Sequence, residues 1–237
     1  MICKGCIQDR KLVKSHIIPA SFFRDLMAGE DHLKLISAAS NGMVRRSRLG
    51  IYDQEILCRA CEDKFQRTDS YAAEKLIPRK GQFPISDGKH VAGYRLTGVD
   101  CGLLKRFFVS VLWRASISRA EFFSRVSLGP LEEMARRVAW GEVSADEDHF
   151  SYALARFEGQ GTLAKVILDP HPERFDRVRY YRFYLAGYVL YIKASSCPTP
   201  NSFKGLIARD NEQIIVSRGE IESSKEFSVM LNGVLGR

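Results

Sequence analysis

The stretches Met1-Ile2-Cys3-Lys4-Gly5-Cys6 and Ile56-Leu57-Cys58-Arg59-Ala60-Cys61-Glu62 carry two Cys-x-x-Cys pairs, with 51 residues between Cys6 and Cys58. At that spacing two thiolates of one turn reach the same tetrahedral ion, and two such pairs make a complete sulfur shell for zinc. The first 80 residues are therefore expected to fold around Zn2+ held by Cys3, Cys6, Cys58 and Cys61. Paired redox thiols, or cysteines buried by coincidence, are the plainer alternatives. Cys101 and Cys197 stand alone and read as buried free thiols.

Between the pairs, Val13, Ile17 and Ile18 suggest a short strand ended by Pro19, and Phe22, Phe23 and Leu26 suggest a helix over 20–27. Residues 36–52 read as a polar loop or hairpin with a basic tip at Arg45, Arg46 and Arg48, which a solvated face explains equally well. A helix is expected from the second pair through Ile77, with Phe65, Tyr71, Ala72 and Leu76 inward. Pro78, Gly81, Pro84 and Gly88 then mark a break, so 81–98 is assigned as a linker between a module at 1–80 and a domain at 99–237.

The second part opens with a strong helix, Leu103, Phe107 and Val111 running beside Leu104, Phe108 and Leu112. A second helix starts at Gly129-Pro130 and stops near Gly141. Strands are expected over 150–157, 163–168, 180–185, 188–193, 203–208 and 213–217, with hairpin turns at Ala186-Gly187 and Asp210-Asn211. The fold class is α+β, a zinc-stapled module followed by a helical segment and an antiparallel-strand-rich domain. Aromatic residues interleave with arginines over 177–193, a pattern that can stack bases while pairing phosphates; the plainer reading is strand alternation that sends the aromatics inward and the arginines to solvent.

A 45% hydrophobic and 27% charged composition belongs to a folded chain. The uncharged run from Phe107 to Trp113 is far short of the roughly 20 residues a membrane span needs. Charges at Lys4, Asp9, Arg10 and Lys11 do not suit a signal peptide, and the expected location is cytoplasmic. The net charge of +8 is concentrated early: residues 1–99 hold 17 Lys/Arg against 11 Asp/Glu, and residues 100–237 hold 19 against 17. That field suits phosphates, although many proteins with such a surplus bind no nucleic acid.

The order Cys3-x-x-Cys6, Ser15-His16-Ile17-Ile18-Pro19, Asp53, then Cys58-x-x-Cys61-Glu62 resembles the zinc-containing HNH endonucleases over the first third of the chain. The resemblance implies a ββα-metal, treble-clef-like module that hydrolyses DNA phosphodiesters with Mg2+ or Mn2+, often in bacterial restriction or phage defence. It implies His16 as the general base, Asp53 where the family has the Asn that orients this imidazole, and Glu62 at the position of a catalytic metal ligand. The family's metal-binding Asp is Ser15 here, and Asp63, next to Glu62, points about 100° away on a helix. Plainer readings remain for each: a strand-end histidine, an Asp capping a turn and a Glu favoured at a helix start. The alternative function is a zinc module that has lost catalysis and binds nucleic acid or a protein partner, with residues 99–237 choosing the substrate or partner.

Overall fold

The computed structural model describes residues 1–26, 32–37, 43–47, 50–144, 148–158 and 166–220. The chain is α+β, dominated by one large antiparallel-rich sheet. A two-residue strand β1 (Ser15–His16) is followed by α1 (Ala20–Leu26) and by the hairpin β2 (Leu33–Ser37) and β3 (Met43–Ser47). Arg45 and Arg46 of the expected basic tip thus lie on β3, and Arg48 lies outside the described residues. Strand β4 (Tyr52–Asp53) pairs antiparallel with β1, placing Ser15 opposite Asp53 and His16 opposite Tyr52. Then come α2 (Arg59–Glu62), a 3-10 turn (Asp63–Phe65) and α3 (Gln66–Leu76), the helix expected after the second cysteine pair.

The segment expected as a linker is instead the hairpin β5 (Gln82–Ser86) and β6 (Val91–Thr97). Its breakers are turn chemistry. Gly88 takes φ +89°, the Asp87 carboxylate accepts from the backbone of Lys89 and His90, and Pro84 lies on an edge strand, where a missing N–H costs no ladder bond.

The central element is α4 (Cys101–Ile117), capped by Asp100, whose Oδ1 accepts from Leu103 N at 2.9 Å. Its apolar faces are covered on several sides. Phe107 stacks on Phe22 of α1 at 5.3 Å, Phe108 meets Tyr152 at 4.6 Å, and α3 and α5 (Glu132–Ala139) pack along it. The remaining strands are β7 (Tyr152–Glu158), β8 (Val166–Leu168), β9 (His171–Phe175), β10 (Val178–Leu185), β11 (Tyr188–Lys193) and β12 (Glu212–Glu220), with a short α6 (Asn201–Lys204) before β12. Seven strands form one sheet in the order β5-β6-β12-β7-β11-β10-β9, antiparallel except where β12 runs parallel to β7. A separate sheet β3-β2-β8 ties the early hairpin to the later half of the chain, reinforced where Ser37 Oγ donates to Asp169 Oδ2 at 2.8 Å. One contiguous cluster of buried residues reaches from Cys3 to Ile215.

Three strand expectations are corrected. Residues 203–208 begin as α6, because Pro200 opens a helical turn that lays Phe203 on Tyr180 at 4.6 Å. β9 was not anticipated; it meets β10 through Asp176-Arg177, both at positive φ as a tight I′-type hairpin turn requires. On β10 the arginines are not sent to solvent: Arg182 is largely buried, pairs with Glu173 at 2.6 Å and lies over the Tyr191 ring. Among the described residues no helix is long and apolar enough to cross a membrane.

Truncating Phe107 to Ala should cost about 3–5 kcal/mol, because the cavity would open between α1 and α4. Urea unfolding checks this. A lowered midpoint with an unchanged slope is expected, and a loss below about 1 kcal/mol would remove α4 from its central position.

Candidate metal centre

The amino-terminal cysteine pair sits on a tight hairpin, closed by Cys3 N to Gln8 O and Ile7 N to Cys3 O, both 2.9 Å. Lys4 N to Ile56 O at 2.8 Å and Val13 N to Leu57 O at 2.9 Å lay this hairpin against the chain entering Cys58. Cys58 is the residue before α2, and its N–H points at Cys3 Sγ at 3.2 Å. The four Sγ atoms all lie within 4.8 Å of one another, with Cys6 and Cys58 at 4.0 Å. Zinc–sulfur bonds of about 2.3 Å put tetrahedral sulfurs about 3.8 Å apart, so the donor set fits one zinc ion. Burial pushes the Cys3 thiol up, but the backbone N–H groups of Cys58, Cys6 and Gly5 outweigh it and bring it down to about 7. Burial and the neighbouring sulfurs raise the Cys61 thiol, so this cluster takes up thiolate charge only against mutual repulsion, which a cation removes. Of the two other cysteines, Cys101 is half-buried and Cys197 is exposed, which corrects the expectation of a buried thiol there.

Two backbone features shape the hairpin. A Cβ on Gly5 would stand 2.7 Å from Trp140 and 3.0 Å from Cys61 Sγ, so only glycine lets the indole close over the cluster. Lys64 and Arg136 lie over that indole at 3.8 and 4.7 Å. Ile7 takes φ +56° while 70% exposed, a left-handed conformation that a β-branched residue adopts only at a cost.

The other expected residues divide. Glu62 ends α2, and the Ser15 hydroxyl and His16 backbone N–H lie close enough to make its carboxyl more acidic. Burial is the larger influence and raises it, with the Arg114 charge opposing. Glu62 Oε2 is buried and has no hydrogen-bond partner. The strand β1–β4 brings Asp53 beside Ser15 but turns it from the His16 ring, since successive strand residues face opposite ways. Asp53 Oδ1 accepts from Glu55 N at 2.8 Å, and its Oδ2 accepts from Ser118 Oγ at 2.9 Å and Arg119 N at 2.7 Å. It holds the loop after α4. The His16 ring meets Tyr52 edge-on at 6.0 Å, and Lys14 lies over Tyr52 at 3.6 Å. Asp63 is exposed and faces Arg59 at 3.7 Å, away from Glu62's role.

Sequence reasoning missed Asp69 and Arg114. Arg114 has no exposed side-chain surface, donates to both Asp69 carboxylate oxygens at 2.9 and 3.1 Å, and donates to the His16 carbonyl at 2.9 Å. Burial raises the Asp69 carboxyl, while Arg114 and then the His16 charge pull it down, which puts Asp69 within electrostatic reach of the imidazole. An arginine directly after the apolar run Phe107 to Trp113, and an acid within the helix after the second cysteine pair, were the available signals. No known protein family, curated protein or solved structure matches the chain.

Purified protein should contain one zinc per chain by elemental analysis. Stripping it with a chelator should lower the melting temperature and change tryptophan fluorescence, because Trp140 packs against the cluster. Replacing Ile7 by Gly should raise stability by about 1 kcal/mol without altering zinc content. A melting temperature that falls instead would mean that Ile7 makes contacts worth more than its strain.

Proposed function

We propose that the chain is a metal-dependent HNH-type endonuclease that hydrolyses DNA phosphodiester bonds. The observation that carries the reading is the buried, partnerless Glu62 oxygen beside the Ser15–His16 strand, on a helix anchored by the four-cysteine cluster. The β1–β4 pair followed by α2 and α3 has the strand-strand-helix order that the family uses. The early surplus of positive charge suits a polyanionic substrate.

In this reading His16 takes a proton from the attacking water, a role suited to an imidazole near neutral pH. The water oxygen bonds to phosphorus as the bond to the leaving oxygen breaks, and that oxygen is then protonated. Glu62 would hold Mg2+ or Mn2+, a hard cation that suits oxygen donors and whose charge would stabilise the phosphate and leaving oxygen. Ser15 offers only a neutral oxygen to such an ion. Arg114 holds the strand carrying His16 through its carbonyl and neutralises Asp69 beneath it.

One observation favours a second reading, a zinc module that binds nucleic acid or a protein partner without cutting. The buried Arg114 already supplies a positive charge next to Asp69 and Glu62, which lessens their need for a metal.

Plasmid cleavage with Mg2+ or Mn2+ decides between them. His16→Ala should lower the rate at least about 100-fold, the usual contribution of a general base. Glu62→Gln should do so by weakening metal dependence, and Asp53→Asn should act mainly on stability. Cleavage that survives His16→Ala would overturn the base assignment. Inactive wild type that still binds DNA would select the second reading.

A further inference from the structure

The first turns of α4 and the end of α5 enclose a cavity of about 220 Å³, away from the cysteine cluster's ligands. Lys105 and Arg106 supply its charge, Ser144 a hydroxyl, Gly141 its backbone, and Val138 and Val143 an apolar wall. No acidic side chain lines it among the described residues. Gly141 has φ +70°, and a Cβ there would stand 2.6 Å from the Arg106 Cζ, so the guanidinium rests directly on glycine backbone.

Arg106 differs from four other largely buried arginines. Arg114 faces Asp69, Arg136 faces Glu133 and Glu142, Arg156 faces Glu158, and Arg182 faces Glu173. Among the described residues Arg106 has no such acid, and its Nε, like those of Arg156 and Arg182, is buried with no hydrogen-bond partner. A buried cation left unpaired is costly, and a ligand anion is what removes that cost. At roughly 30 Å³ per water the cavity holds about seven waters' volume, room for a tetrahedral oxyanion with part of its hydration.

We propose that this cavity is an oxyanion site that binds a phosphate group, with Arg106 as its principal ligand. Guanidinium matches the planar edge of two phosphate oxygens, while the Ser144 hydroxyl is placed to meet another. The site is independent of the nuclease reading and stands whether or not the chain cuts DNA. The phosphate is either a free small anion or part of a nucleic-acid backbone.

The test is inorganic phosphate titrated into the zinc-loaded full chain, followed by calorimetry and thermal unfolding, with ionic strength held constant by chloride. Wild type should bind one phosphate saturably and melt higher as it does. Arg106→Gln should bind it at least tenfold more weakly, yet in phosphate-free buffer melt at the same temperature or higher, because it removes an unpaired charge. A short DNA duplex that competes with phosphate in wild type but not in Arg106→Gln would identify the backbone source. A duplex that leaves phosphate binding unchanged would identify the free anion. The proposal is overturned if wild type shows no saturable response or if Arg106→Gln binds phosphate equally well. It is also overturned if Arg106→Gln melts lower without phosphate, as it would were a carboxylate of this chain its partner.

Discussion

Arg114 lies where the two halves of the chain meet, and much of the candidate site depends on what its guanidinium touches. It springs from the most buried face of α4, bonds Ser110 on its own helix, and reaches forward to Asp69 on α3 and the His16 carbonyl on β1. The Phe65 ring covers it at 4.6 Å. Taking a guanidinium wholly out of water is tolerable only when every donor finds an acceptor, and here the bidentate carboxylate and two carbonyls meet most of that demand. Losing either partner of such a pair typically costs about 3–5 kcal/mol, because the other charge stays buried. The position of His16 is therefore set by a residue 98 positions away, and the site is not a property of residues 1–80 alone.

The cysteine cluster exerts the same kind of control from the other side. It fastens the first hairpin to the start of α2, which fixes where Glu62 stands, and Trp140 from α5 closes over Gly5. A ring contact between Trp113 and Trp140 at 6.2 Å continues this packing to α4. The cysteine cluster and the buried ion pair thus hold the α2 and α3 segment at two points, and the main buried cluster draws on both halves of the chain.

What could be read from the sequence follows from how local the cause is. Four cysteines announce themselves because their chemistry is rare and their spacing is fixed by a turn, and the apolar rows of α4 are equally plain. The stretch 81–98 was misread because proline and glycine signal only that a regular element is interrupted. Whether Pro84 marks a linker or an edge strand depends on β6, which pairs with it, and on β12, which holds β6 in the sheet from far along the chain. Asp53 shows the limit at the site itself. Its residue type suits a partner for His16, but strand pleating and the donors of Ser118 and Arg119 turn it elsewhere, and those donors lie 65 and 66 residues away. Asp69 is the acid whose carboxyl feels the His16 charge, and it is placed for the same reason. Its partner Arg114 is 45 residues distant, and no local pattern encodes that meeting.

The charges around Glu62 make Ser15 intelligible. Ser15 is fully buried, so an aspartate there would place a second carboxylate beside one whose acidity is already weakened by burial. A second carboxylate there would add to the negative charge of Glu62 and Asp69, on which Arg114 already acts, whereas a hydroxyl adds none. The neutral Ser15 and the buried arginine of α4 act in the same direction: each lowers the uncompensated negative charge around Glu62. Loss of the Glu62 carboxylate would leave the two anchors of this region in place, because the four sulfurs and the Arg114–Asp69 pair do not depend on it.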